Sequence, residues 1–224
     1  LKTSPKHKID ELISFDKEYK CFVIGTDEAG RGPAAGPVVA AAVSFPEITP
    51  SIREVIKFID DSKKFSNKTE LRKDLSDAIK SVALYSIHES SVEDIAKINI
   101  LQASLLAMRK SSEDLLIQLK LSSPEDLIIL IDGNKLIKNF NYPQKTVIKG
   151  DSRSVSIAAA SILAKVHRDE IMSRLAEEFP HYGWQNNKGY LTSEHSEAIL
   201  KHGTCIWHRE KFLEKLFCRQ QKLF

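Results

Sequence analysis

CFVIGTDEAGRGPAAGPVVAAAVSF, residues 21–45, is the stretch whose reading decides the fold. Residues 21–27 form a short apolar run that ends in glycine and acids, the pattern of a buried strand. Residues 36–45 are a second β-prone run. Between them stand Gly30, Gly32, Pro33, Gly36 and Pro37, which oblige the chain to turn, so the two runs are expected to make a hairpin. The first strand thereby delivers Asp27 and Glu28 to the mouth of a glycine-rich turn.

Outward from this hairpin, strands and helices alternate. A helix capped by Ser66 or Asn67 is expected from the spacing of Leu71, Leu75, Ala78, Ile79 and Val82. A strand over 82–88 follows, then a long helix beginning near Asn99 with Leu101, Leu105, Met108, Leu115 and Leu119 inward. Residues 127–131 (LIILI) end abruptly in Asp132-Gly133-Asn134, which suggests a central strand buried on both faces. A short strand over 146–149 stops at Gly150-Asp151. Residues 155–179 read as the longest helix, where Ala158, Ala159, Ala160 and Ser161 allow close packing on a sheet. Beyond Pro180 come glycine and aromatic turns, a helix over 193–201 and a basic helix from Arg209. The pattern is α/β with a helical C-terminal lobe. The expected division is a lead-in or short helix over 1–20, a catalytic core over 21–180 and a C-terminal helical lobe over 181–224 packed on it.

Composition narrows the function classes. The chain has 224 residues, 42% apolar and 28% charged, the balance of a globular protein with one ordinary core. No run of eighteen apolar residues offers a membrane span, and residues 1–20 lack the apolar stretch of a signal peptide. Cys21, Cys205 and Cys218 are few, odd in number and without metal-ligand spacing, so a reducing, cytoplasmic setting is expected. The net charge of +3 is far from that of a purely electrostatic nucleic-acid binder, but it permits a basic groove around an acidic centre.

Carboxylates stand at three expected strand ends: Asp27 with Glu28, Asp132, and Asp151. In an α/β sheet, functional groups gather where loops open at the ends of adjacent strands. Four acids gathered there repel one another unless divalent cations neutralise them, and hard oxygen ligands suit Mg²⁺ or Mn²⁺. Two such ions could activate a water and stabilise a departing oxygen in phosphodiester hydrolysis. Plainer readings stand beside this one: Asp132-Gly133 is an ordinary turn dipeptide, and Asp151 is a suitable cap for the helix that follows.

GTDEAGRGPAAGPVVAAAV (25–43), DSKK (61–64), IDGN (131–134), KGDSRSVSIAAASILAKVHRD (149–169) and NKGYLTSEH (187–195) occur in the order found in ribonuclease HII. The chain resembles that family from about residue 22 to 212. The resemblance implies a ribonuclease H fold, a mixed central sheet flanked by helices, with the four metal-binding acids at Asp27, Glu28, Asp132 and Asp151. It implies a two-metal site for Mg²⁺ or Mn²⁺. It implies that the turn Gly30-Arg31-Gly32 reads the ribose 2′-hydroxyl, which both donates and accepts hydrogen bonds. Tyr190 resembles the tyrosine that packs on the sugar after the ribonucleotide. Lys63 and Lys64 are expected on backbone phosphates, with Lys149, Ser152, Arg153 and Lys188 as weaker candidates.

The implied substrates are RNA–DNA hybrids and duplex DNA containing ribonucleotides, cut 5′ to the ribonucleotide by a monomer. Another two-metal DNA nuclease and a non-catalytic duplex binder are the competing classes; the second fits poorly, because four acids beside phosphate oppose binding. Asp169 rivals Asp151 as fourth ligand, but a buried hydrogen-bonding role is favoured for it. His195 and His208 match family positions as structural or site-supporting groups, and His167 reads as a solvated helix residue. The ending HGTCIWHREKF (202–212) departs from the family's usual HGxTxxHRxSF. Ribonuclease HIII is expected to carry a large N-terminal domain and to lack the GRG turn; GRG is intact here, which favours HII.

Overall fold

In a computed structural model the chain is described at residues 5–59, 69–120 and 126–220. Among these described residues five strands form one mixed sheet: β1 (Phe22–Ala29), β2 (Val38–Ser44), β3 (Leu84–Ser90), β4 (Leu127–Asp132) and β5 (Gln144–Val147), in the order β3-β2-β1-β4-β5. β1 and β2 make the expected antiparallel hairpin and β3 extends it, whereas β4 runs parallel to β1 and β5 parallel to β4. The helices are α1 (Pro5–Lys17), α2 (Pro50–Val55), α3 (Thr69–Val82), α4 (Val92–Leu119), α5 (Val155–Glu178), α6 (Trp184–Asn187), α7 (Ser193–His202) and α8 (Glu210–Gln220). Among the described residues no helix is long and apolar enough to cross a membrane.

Every residue of β2 is buried because helices cover both faces of the sheet. On one face Ala40, Ala42, Ile24, Ile129 and Ile131 meet Leu105, Met108 and Leu115 of α4. On the other, Val39, Ala41 and Val43 meet Ala158, Ala159, Ile162 and Leu163 of α5. The alternation is the two-residue period of a strand. Met108 and Leu115, almost wholly buried, each contribute about 2 kcal/mol by leaving water. The small residues of α5 bring its backbone onto the sheet, and a Cβ at Gly25 would lie 2.2 Å from the Ile157 nitrogen. Only glycine allows that approach.

Several boundaries differ from the sequence reading for local reasons. α3 runs through Val82, so the third strand starts at Leu84. α4 starts at Val92 behind a Ser91–Asp94 capping box and breaks at Asn99 (φ 65°), whose side chain accepts the Leu101 and Gln102 N–H groups. Asn99 thus begins the long part of the helix, as its position suggested. β5 stops at Val147 because Lys149 takes a left-handed conformation (φ 55°) and Gly150–Ser152 close a 3₁₀ turn. The N-terminal segment is a docked helix, with Ile9, Leu12 and Ile13 buried and the Asp16 carboxylate accepting the Ser156 N–H at 3.0 Å. The expected caps Ser66 and Asn67, and Lys63 and Lys64, lie outside the described residues.

Candidate active site

The parallel register aligns Thr26 of β1 with Ile131 of β4, so the next residues, Asp27 and Asp132, stand side by side at the carboxyl ends of neighbouring strands. Neighbouring strands lie about 4.8 Å apart. By alternation both carboxylates share the α5 face, with Gly25 and Leu130 behind them. Two charges at about 5 Å repel by about 3 kcal/mol at an effective dielectric of about 20.

The electrostatics of Asp27 follow from that placement. It is 6% exposed, and burial first, then the Glu28 and Asp132 charges, hold its carboxyl well above the usual range. The Ser161 hydroxyl of α5 and the Glu28 N–H, 2.7 Å from Oδ1, oppose that rise without cancelling it. Burial also raises Glu28, with Asp132 adding to it, while the Arg31 guanidinium, 3.1 Å from Oε1, pulls the other way. Asp132 Oδ1 accepts the Gly150 N–H at 2.6 Å. That bond places Asp151, the next residue, beside the ends of β4 and β5, where its carboxylate accepts from the Ser152 hydroxyl at 3.3 Å.

Asp27, Glu28 and Asp132 are electrostatically coupled at the carboxyl ends of β1 and β4, and Asp151 directly follows the residue whose N–H Asp132 accepts. Among the described residues no three acid, histidine or cysteine side chains converge closely enough to form a cation cage. The donor set is all oxygen and net negative, and burial together with neighbouring carboxylates raises the pKa values of Asp27 and Glu28. Those are the properties that fit a hard divalent cation such as Mg²⁺ or Mn²⁺.

The glycine turn grows directly from this end of β1. Gly30 has φ +101°, and a Cβ there would fall 2.1 Å from Nε of Arg168, so glycine is required twice over. A Cβ on Gly32 would meet Cε1 of Tyr190 at 3.4 Å, which puts the tyrosine ring against the turn. Tyr190 is 50% exposed and so lies at the surface of the site, not in the core. Lys188 is tied inward, its Nζ donating to the Ser173 hydroxyl at 2.8 Å. Lys149, Ser152 and Arg153 are exposed near Asp151, and the Arg153 guanidinium lies over the Phe15 ring.

Asp169 is buried, as its place on the apolar stripe suggested, and receives Lys165 Nζ at 2.5 Å and Arg72 Nη1 at 3.4 Å. His167 differs from expectation: it is hydrogen-bonded to Glu89 at 2.8 Å across to β3 instead of being merely solvated. His195 and His208 form a buried chain. The Cys205 N–H donates to His208 Nδ1 and the Trp184 indole N–H to His195 Nε2, so His208 Nε2–H must donate to His195 Nε2 at 3.1 Å. His195 Nδ1–H is then left to donate to the Tyr190 carbonyl at 2.9 Å. Both rings are neutral in that arrangement, and burial, aided by His195, depresses His208 to about 4.

Arg168 and Arg209, 1% and 2% exposed, lie within the family-like stretches 149–169 and 202–212 but were given no role there. Beside that motif, the signal for Arg168 was a cation among the apolar residues of α5, between Val166 and Ile171. The role of Ser161 beside Asp27 was likewise hidden inside a run of small packing residues.

The family described as Ribonuclease HII matches residues 24–219. Ribonuclease HII of Pelodictyon phaeoclathratiforme is 47% identical over 192 residues, covering 85% of this chain and 89% of that protein. Ribonuclease H2 from Pyrococcus horikoshii has a similar structure, with a TM-score of 0.68 at 22% identity, over 90% of this chain and 99% of that one. Bst-RNase HIII in complex with Mn²⁺ is similar at a TM-score of 0.70 and 19% identity, over 98% of this chain and 75% of that one. At those identities the two structures bear on the fold, a ribonuclease H-like mixed sheet flanked by helices. Family membership rests on the match over residues 24–219 and on the sequence relative. The chain belongs to the ribonuclease HII family.

Proposed function

We propose that this member of a family of hydrolases that cleave RNA in RNA–DNA hybrids is an endonuclease that also acts at single ribonucleotides in duplex DNA. It cuts 5′ to the ribonucleotide and leaves 3′-hydroxyl and 5′-phosphate ends. The observation that carries this reading is continuity: the acids Asp27 and Glu28 and the turn Gly30-Arg31-Gly32 are one unbroken piece of chain, with Tyr190 packed on Gly32. A 2′-hydroxyl engaged by the turn therefore lies a few residues from the acids.

Asp27, Glu28, Asp132 and Asp151 are the residues that would hold the divalent cations. When bound, such cations supply charge neutralisation at the phosphodiester and a more acidic water. The chain's own part is positional. The turn's peptide groups can donate to and accept from a 2′-hydroxyl, which a deoxyribose lacks. The exposed Tyr190 ring offers an apolar face to the next sugar, where a second 2′-hydroxyl would crowd it. Exposed Lys149 and Arg153 flank Asp151, where they can meet backbone phosphates. Lys63 and Lys64 are assigned the same task from sequence alone. A single copy suffices in this reading, because acids, turn and tyrosine come from one chain.

Matched duplexes test the reading: one all-DNA, one with a single ribonucleotide, each incubated with Mg²⁺ or Mn²⁺ and with chelator. Cleavage of the ribonucleotide duplex alone, dependent on cation and abolished by Asp132→Asn, is expected. Cleavage of the all-DNA duplex, or full activity in chelator, would overturn it.

A further inference from the structure

Residues 33–37 present an unusual backbone arrangement: every carbonyl in the stretch accepts a hydrogen bond from Arg168 or Arg209. Arg209 donates to Pro33 from Nη1 at 2.8 Å, to Ala34 from its backbone N–H at 2.8 Å, and to Gly36 from Nε at 2.9 Å. Arg168 donates to Ala35 from Nη2 at 3.0 Å and to Pro37 from Nε at 3.1 Å. The remaining nitrogen of the Arg168 fork, Nη1, reaches the Lys188 carbonyl at 3.0 Å, two residues before Tyr190. The Ala34 N–H closes the same link from the other side, donating to the Gly189 carbonyl at 2.8 Å.

Both guanidinium groups are almost fully buried, and among the described residues neither forms a salt bridge. Burial and the Arg168 charge push Arg209 down to about 9, which leaves it cationic at neutral pH, and burial also lowers Arg168. A buried cation is costly unless its donors are satisfied. Here backbone carbonyls take all three nitrogens of the Arg168 fork and two of the three on Arg209, whose Nη2 is buried without a partner; the carbonyls of residues 33–37 belong to the loop that continues the Gly30-Arg31-Gly32 turn. Arg168 also lies where a Cβ of Gly30 would be. A planar fork with fixed donor directions can hold carbonyls on separate segments at once, which a lysine ammonium, with all its donors on one atom, cannot.

We propose that Arg168 and Arg209 are positioning residues for ribose recognition, a paired guanidinium clamp that sets the glycine turn in fixed register with Tyr190 before substrate arrives. The inference rests on the proposed function, because it assigns the turn and Tyr190 to reading the ribonucleotide. Neither arginine is placed in contact with the reacting atoms; they act through the backbone they hold.

The test uses full-length Arg168→Lys and Arg209→Lys, which keep the charge and lose the fork, with Leu115→Val on the opposite face of the sheet as a stability control. Single-turnover cleavage of a single-ribonucleotide duplex is measured in Mg²⁺, and affinity for that duplex and its all-DNA match is measured in Ca²⁺. Each lysine variant is expected to lose on the order of a hundredfold in rate, the effect of about 1 Å of misplacement. It should also lose the wild-type preference for the ribonucleotide duplex, while affinity for the all-DNA duplex stays within about threefold, since that depends on phosphate contacts. Leu115→Val should keep both rate and preference.

Folded lysine variants with wild-type rate and preference would overturn the clamp, as would an equal loss of preference in the control. If neither lysine variant folds, hydrogen exchange in the wild type decides. The Ala34 and Gly36 amides should be protected like those of β1 without any duplex, and exchange like an exposed loop would overturn pre-positioning. If wild type itself neither cuts nor prefers the ribonucleotide duplex, the functional reading fails instead.

Discussion

Replacing Asp27 with asparagine removes one buried negative charge while nearly preserving shape, and it should make the cation-free protein more stable. The magnitude follows from the strand register. The Asp27–Asp132 repulsion is about 3 kcal/mol at an effective dielectric of about 20. Wild type relieves part of it by taking up a proton, as the raised Asp27 pKa indicates. Asparagine also keeps a weaker acceptor for the Glu28 N–H, which costs about 1 kcal/mol. The net gain is on the order of 1–2 kcal/mol, or about 2–8 °C in Tm for a chain of this size.

The pH dependence has a definite sign. A carboxyl whose folded pKa is raised contributes most to stability when protonated, and that contribution is lost as pH rises through the folded value. The advantage of the asparagine variant in chelator should therefore widen as pH rises from the ordinary aspartate range through the raised folded value. Saturating Mn²⁺ or Mg²⁺ should reverse the order, since a ligand at about a hundred times its Kd adds about 2.7 kcal/mol to the protein that binds it. Circular dichroism melts in chelator and in cation read both effects. An asparagine variant less stable than wild type in chelator, or equally stabilised by cation, would refute the repulsion and its relief.

Three further outcomes follow from the site. Asp151→Asn should lose most activity per folded molecule, whereas Asp169→Asn, which breaks the buried contacts to Arg72 and Lys165, should cost about 1–3 kcal/mol of stability and leave the folded fraction active; the reverse pattern would exchange the two roles. His208, depressed to about 4, contributes stability above the ordinary histidine range that is lost as pH falls from about 6.5 toward that value. In an Asp27→Asn background, melts should show a loss on the order of 2 kcal/mol over that interval, and His208→Gln should flatten it. Tyr190→Ala should lower single-turnover cleavage at a single-ribonucleotide junction far more than duplex affinity in Ca²⁺, and an unchanged rate would remove Tyr190 from the site.

What was legible in the sequence was what strand and helix periodicity encode directly. The hairpin around residues 21–45, the buried strand ending at Asp132 and the α5 helix all declare themselves through apolar runs and the glycines that stop them. The placement of Asp27, Glu28 and Asp132 on strands was readable because each sits where such a run ends. Positions set by tertiary partners were not. Asn99 breaks α4 by capping from within, and Lys149 turns left-handed to end β5 early. His167 finds Glu89, which is 78 residues away in sequence. The arginine clamp was hidden for the same reason, because its ligands are main-chain carbonyls, which carry no side-chain signature and are specified only once α5 and the chain before α8 fold onto the turn.

The position of the cut on a duplex carrying one ribonucleotide tests the central claim most directly. With Mg²⁺ or Mn²⁺, end-labelled strands resolved at single-nucleotide resolution should show one incision, on the 5′ side of the ribonucleotide, with a 3′-hydroxyl left behind and the all-DNA strand intact. Incision on the 3′ side, scattered cutting through the DNA, or an intact ribonucleotide strand would contradict it.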